Sequence, residues 1–184
     1  MDPFDEDDEG PNELGDFVIS LSGTHNIYNA LAVIATASEL EVPLAAIRTY
    51  LEDFKGVSRR MDVMGKYKGA TIIDDYAHHP TEIASTLEGI KKSYPTKHIL
   101  TVFHPHTFTR TKGLLDDFAK SFSNTDELIV LDIYGSAREE QGGVHSKDLI
   151  LKIEKENPDM HIVYIPTLKE CEEYLRGKLD AKYI

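Results

Sequence analysis

Tryptophan is absent from this 184-residue chain, cysteine occurs once, and acids outnumber bases 32 to 20. Each shortage excludes something. The lone Cys171 cannot close an intrachain disulfide, which removes the cross-linked secreted scaffolds and suits a reducing compartment. No run approaches the ~20 apolar residues that a membrane-crossing helix needs. The acidic start has neither the basic nor the apolar part of a signal peptide, so the cytoplasm is the expected location. A formal charge of -12 argues against adhesion to nucleic acid or to anionic membrane. What is present suffices for a packed core, since 41% of the residues are hydrophobic. Part of the negative charge is local: Asp2, Asp5, Glu6, Asp7, Asp8 and Glu9 form a solvated stretch that predicts a disordered start.

Hydrophobic spacing divides the remainder in two. Residues 17–21 alternate as a short strand would, with Phe17, Ile19 and Leu21 on one side. Thr24 can then cap a helix over about 26–40, with Ile27, Leu31, Ile34 and Ala35 as its apolar stripe. Pro43 opens a second helix bearing Leu44, Ile47, Leu51 and Phe54, so the two form a helical hairpin. The helical period stops at Lys55-Gly56-Val57-Ser58, which predicts a boundary between residues 1–56 and 57–184. Beyond it strands and helices alternate. A ribbon turns near Gly65 and Gly69, and its second strand runs into Asp74. Pro80 starts a helix with Ile83, Leu87 and Ile90 along one side. Apolar strands follow at 98–103, 127–133 and 161–165, and a single helix carries Leu114, Leu115, Phe118 and Phe122 between the first two. Ser146 and Thr167 are candidate caps for the last two helices, Thr167 with Glu170 in capping-box spacing. Cys171, between Leu168 and Leu175 on a helical face, is expected in the core. The β/α alternation does not close at the end, so a C-terminal truncation is expected.

The fold class is therefore α/β: a mostly parallel, Rossmann-like sheet flanked by helices, preceded by a strand and a helical hairpin. Three polar clusters, Asp74 to His79, His104 to Arg110 and Asp132 to Glu139, fall at the carboxyl ends of predicted strands, the rim along which open α/β sheets bind ligands. Taken singly the residues are ambiguous. His79 directly precedes Pro80 and can be a helix cap or a catalyst, and Arg59-Arg60 can be a solvated pair or a phosphate clamp at a domain boundary. Asn26 and Asn29 share a helix face, either solvated or turned to a purine edge. Asp75, His78, His79, His104 and His106 include metal-binding residue types, although their spacing fits no recognised ligand signature. No phosphate-cradling P-loop occurs, because Gly65-Lys66 is followed by Tyr67 and Gly177-Lys178 by Leu179.

Five runs together narrow these choices: Gly23-Thr24-His25-Asn26-Ile27-Tyr28-Asn29-Ala30-Leu31-Ala32, Gly56-Val57-Ser58-Arg59-Arg60, Asp74-Asp75-Tyr76-Ala77-His78-His79-Pro80-Thr81-Glu82-Ile83, Pro105-His106-Thr107-Phe108-Thr109-Arg110-Thr111 and Asp132-Ile133-Tyr134. In this order the set resembles the Mur ligases, and within them the members that add L-alanine to UDP-N-acetylmuramate. The related ligase that attaches a recycled tripeptide shares part of the pattern.

The resemblance implies a three-domain parent, of which this chain would hold the end of the central ATPase domain (1–56) and most of the C-terminal Rossmann-like domain (57–184). Such enzymes use ATP and Mg2+ to phosphorylate the muramate carboxylate, and the amine of L-alanine then displaces phosphate. Carried over, Asn26 and Asn29 lie near adenine, Arg60 near phosphate and Asp75 near ribose, with Arg60 and Asp75 as the catalytic pair. Tyr76, His78, His106 and Arg110 meet the incoming alanine. Many members have an arginine where this chain has Thr107, which leaves more of the carboxylate binding to Arg110. Without the missing N-terminal and central domains, the chain is expected to be inactive by itself. A stand-alone ligand-binding module and a metal-dependent hydrolase are the competing expectations.

Overall fold

The computed structural model describes residues 13–21 and 23–184, so the acidic start from Asp2 to Glu9, and the disorder expected of it, lie outside the described residues. The chain forms two compact units, Met1–Gly56 and Val57–Ile184.

In the first unit, α1 (Thr24–Glu39) and α2 (Leu44–Asp53) form the hairpin. Gly23 caps α1 with φ 102, a left-handed value that glycine reaches without strain, and Pro43 caps α2. The expected strand at 17–21 does not form. Strand geometry needs a ladder partner, and among the described residues none runs beside these; side chains hold the segment instead. The Arg48 guanidinium sits 4.9 Å from the Phe17 ring centre, its Nε donates to the Asp16 carbonyl at 3.1 Å, and Ser20 Oγ donates to the Phe54 carbonyl at 2.5 Å. Ala30, Ile34 and Ile47 are buried, whereas Ile27 and Leu31 of the predicted stripe remain 52% and 54% exposed.

The second unit opens with an antiparallel ribbon, β1 (Asp62–Tyr67) and β2 (Ala70–Asp74). Lys68 and Gly69 both have positive φ (49 and 87), the signature of a tight hairpin turn whose twist matches the strands. A bulge between Val63 and Gly65 shifts the register. Then α3 (Pro80–Ser93), β3 (Leu100–Phe103), α4 (Phe108–Gly113), α5 (Leu115–Lys120), β4 (Glu127–Val130), α6 (Ser146–Glu156), β5 (His161–Tyr164) and α7 (Leu168–Lys178) follow. Strands β3, β4 and β5 lie side by side in that order, all parallel.

Helices cover both faces of this sheet. Leu128 and Val130 point into a core with Ile83 and Leu87 of α3, Phe118 of α5 and Leu149 of α6. The alternate residues Ile129 and Leu131 meet Cys171 of α7, so the cysteine is a core residue and burial raises its thiol pKa. The helix expected to carry Leu114, Leu115, Phe118 and Phe122 is α5, and it is preceded by α4, which starts at Phe108; the break falls at Leu114 directly after Gly113, a poor helix former. Ser146 is not the cap of α6, because its hydroxyl donates to the buried Leu131 carbonyl at 2.6 Å. His145 takes the role, its Nδ1 accepting from Lys147 N–H while Asp148 accepts from His145 N–H. Thr167 and Glu170 form the capping box their spacing predicts.

At the amino-terminal end of the sheet, one carboxylate joins several elements. Glu127 accepts from Lys178 Nζ at 2.5 Å and Tyr183 OH at 3.1 Å, and lies 2.9 Å from His98 Nε2 and 3.3 Å from His161 Nδ1. Burial pushes its carboxyl up, but Lys178, Tyr183 and His98 outweigh that and bring it down to about 2.

Candidate functional site

The corner after β2 is built by Asp75. Its Oδ2 accepts from the Met61 amide at 2.7 Å, and its Oδ1 from the Ala77 amide at 2.8 Å and Thr86 Oγ1 at 3.2 Å. One side chain thus ties the entry to β1, the corner and α3 together. Beyond it His79 caps α3: its Nδ1 accepts from the Thr81 amide, and Glu82 Oε2 accepts from both His78 and His79 amides at 3.1 and 3.2 Å. The His78 amide is the largest reason the Glu82 carboxyl lies below its ordinary pKa. Between the cap and Asp75, Tyr76 and His78 project together with ring centres 5.1 Å apart, and His78 Nδ1 is 2.9 Å from the Tyr76 carbonyl.

Arg59, rather than Arg60, is woven into this corner. Its Nε donates to Asp74 at 3.1 Å, its guanidinium lies 4.9 Å from the Tyr76 ring centre, and its carbonyl accepts from the Tyr76 amide at 2.7 Å. Arg60 makes no side-chain hydrogen bond among the described residues; its charge acts on Glu82. Residue type alone leaves the arginines as one pair and the resemblance singles out Arg60; the backbone sets Arg59 apart, with φ 61.

The second cluster follows β3. The loop is joined to the one after β4 by a parallel bridge, Thr107 N–H to the Tyr134 carbonyl and Tyr134 N–H to the Pro105 carbonyl, both 2.8 Å. The His106 ring stacks 4.8 Å from that of Tyr134. Thr107 adopts φ 72, a left-handed value that is rare and strained for a β-branched residue, and its hydroxyl accepts from the Arg110 amide to cap α4. Arg110 turns back so that Nη1 reaches the His106 carbonyl at 3.5 Å, bringing His106 and Arg110 together. Burial, then His106, hold His104 below its usual pKa, against an upward pull from Asp132.

The third cluster supports the second. Glu139 accepts from the Thr109 amide and hydroxyl, both at 2.9 Å, and from the Ser136 amide at 2.8 Å. The Thr109 amide is the main reason its carboxyl falls to about 2. Asp132 accepts from Tyr164 OH at 2.5 Å, which raises the phenol to about 12. The sequence signal for Glu139 was only its place in a rim cluster.

Tyr76 with His78, and His106 with Arg110, thus form two pairs; no hydrogen bond or ring contact joins one pair to the other among the described residues. Asn26 and Asn29 belong to α1 of the first unit, half-buried and exposed respectively. No group of three or more His, Cys, Asp or Glu among the described residues is gathered to hold a metal ion. Among the described residues, no helix is long and apolar enough to cross a membrane.

Residues 59–182 match the family model described as the Mur ligase, glutamate ligase domain, and the chain belongs to the Mur ligases. Among its relatives, the UDP-N-acetylmuramate–L-alanine ligase of Alkaliphilus metalliredigens is 46% identical over 97% of this chain, and that of Levilactobacillus brevis 53% identical over 77%. The chain spans 38% and 32% of those proteins. Two solved structures share the fold: the UDP-N-acetylmuramate-alanine ligase of Thermotoga maritima (TM-score 0.73, 28% identity, 91% of this chain and 34% of that one) and a murein peptide ligase of Psychrobacter arcticus (TM-score 0.69, 27%, 91% and 34%).

Proposed function

We propose that this chain is the portion of an ATP-dependent ligase that receives the amino acid, in an enzyme joining L-alanine to UDP-N-acetylmuramate. The observation that carries the proposal is the pairing of Arg110 with His106 on a rim loop locked by Tyr134, in a chain nearly half identical to alanine ligases. ATP transfers its terminal phosphoryl group to the muramate carboxylate, releasing ADP; the alanine amine then attacks the acyl phosphate, forming the amide and releasing phosphate. Magnesium, when bound, offsets the phosphate charge. By the resemblance, the groups that would hold it belong to the central ATPase domain.

In this scheme Arg110 binds the alanine carboxylate through its forked donors, and His106, Tyr76 and His78 shape the space around the amine. Thr107 stands where many relatives of this kind have a second cation, so carboxylate recognition rests on Arg110. Arg60, with its guanidinium uncommitted, approaches phosphate. Asp75 approaches ribose with the one side chain that already fixes the corner, while Asn26 and Asn29 present amides to adenine. The 184 residues contain no P-loop sequence, so the chain alone does not ligate.

A chimera tests this. In the Alkaliphilus metalliredigens ligase, the matching C-terminal third is replaced by this chain and ADP formation is followed. Turnover is expected only with L-alanine and UDP-N-acetylmuramate together, and Arg110→Ala is expected to raise KM for alanine by about tenfold or more, the loss of a charge-assisted pair. A chimera that accepts the recycled tripeptide but not alanine would overturn the alanine assignment. Phosphate release by the isolated chain would overturn its dependence on other domains.

A further inference from the structure

His104 follows β3 directly and is held between Phe103 and Pro105, both of them buried. The bridge to Tyr134 keeps this segment extended, so alternate residues project to the same side. His104 and His106 accordingly both meet the Tyr134 ring, with centres 5.8 and 4.8 Å from it. One tyrosine thus carries two imidazoles, and the second belongs to the residue whose carbonyl receives Arg110.

A carboxylate stands by the first imidazole, and its neighbours fix it without neutralising it. Tyr164 OH donates to Asp132 Oδ1 at 2.5 Å, and His145 Nε2 lies 3.7 Å from the same oxygen. Because His145 Nδ1 accepts from the Lys147 amide, a neutral His145 carries its proton on Nε2, toward Asp132. No hydrogen bond reaches Oδ2 among the described residues, which leaves that oxygen to the rim. The titratable groups around the His104 ring, among the described residues, are therefore His106 on its own loop, Asp132 and Tyr134 after β4 and, behind Asp132, Tyr164 of β5 and His145 at the start of α6. Burial, then His106, favour the neutral ring and keep it neutral to lower pH than an ordinary histidine; Asp132 favours the imidazolium.

Amide formation needs such a group. Alanine is an ammonium at neutral pH, without the lone pair that must attack an acyl phosphate. Arg110 can hold the carboxylate but is always charged and accepts no proton. Resting on the reading that this chain receives L-alanine, we propose that His104 is the base that takes the ammonium proton of the bound amino acid, and that Asp132 is a positioning residue that stabilises the imidazolium formed. The proton passes from the alanine nitrogen to a ring nitrogen of His104. The freed lone pair forms the C–N bond at the acyl carbon, the C–O bond to phosphate breaks, and a second proton of the nitrogen goes to the departing phosphate oxygen. His104 then returns its proton to solvent. A base oriented by a carboxylate that does not itself transfer the proton is a general arrangement for activating a nucleophile.

The chimera with the Alkaliphilus metalliredigens ligase, assayed across pH, tests this role. His104→Gln is expected to lower kcat with alanine by about 100-fold while KM for alanine changes by less than about threefold. The acid limb of the parent's kcat profile disappears in the variant, and its rate recovers as pH rises toward the amine's own pKa. Hydroxylamine, whose nitrogen is unprotonated at neutral pH, needs no base, so hydroxamate formation in place of alanine addition is expected to match the parent's. Asp132→Asn is expected to move the acid limb to lower pH, because the charge that favours the imidazolium is gone. Equal losses with alanine and hydroxylamine would overturn the proposal and mark a structural role, as would an acid limb that survives in His104→Gln. A parent chimera that yields hydroxamate but never joins alanine is a different failure: it overturns the alanine reading, and this role with it.

Discussion

Helices α1 and α3 carry similar apolar stripes and meet different fates. On α3, Ile83, Leu87 and Ile90 are all buried against the sheet and its neighbouring helices. On α1, Ala30 and Ile34 are buried, while Ile27 and Leu31 stay more than half exposed. Periodicity defines which side of a helix is apolar; it does not supply the layer that covers it. The second unit has a sheet to provide that layer on two faces, whereas the described residues of the first form a helix pair and an irregular segment tied down by Arg48.

Three substitutions would sharpen or break that contrast. The largest effect is expected from Phe118→Ala, since Phe118 is 1% exposed and packs on Phe103; denaturant unfolding should show a loss of about 3–5 kcal/mol. An intermediate effect is expected from Glu127→Gln. The folded carboxyl titrates at about 2, well below an unfolded glutamate, so the unfolded chain binds more protons in between. Its contribution is complete above the unfolded pKa and fades as pH falls toward 2. With Glu127 only 13% exposed, the variant should lose about 3 kcal/mol at neutral pH, and its stability should vary less than the parent's between pH 5 and about 2. Matching acid unfolding curves for parent and variant would refute this role. The smallest effect is expected from Leu31→Ala, within about 0.5 kcal/mol by the same measurement. A loss comparable to that at Phe118 would mean that the Leu31 side of α1 is covered after all.

The alternation of strands and helices, the start of α3 at Pro80, the His79 cap and the Thr167 box were legible because each follows from a local rule about period, φ or a free amide. Residues 17–21 misled because alternation describes a strand's faces without naming its partner. Ser146 misled because a cap hydroxyl has two places to go, and here the Leu131 carbonyl drew it into the sheet. At the candidate site, the sequence showed that each polar cluster follows a strand: Asp74 ends β2, His104 follows β3 and Asp132 comes after β4. Residue type alone could not separate Arg59 from Arg60, a difference of backbone conformation, nor foresee Glu139 reaching back 30 residues to Thr109.

The bridge between Thr107 and Tyr134 makes one body of two loops that would otherwise wander separately. The freedom of both is surrendered when the protein folds, so in the proposed function an arriving amino acid would not have to immobilise His106 and the loop beneath it for itself. Recognition there would be a matter of preparation: the loops settle before a small ligand, with few atoms to offer, arrives.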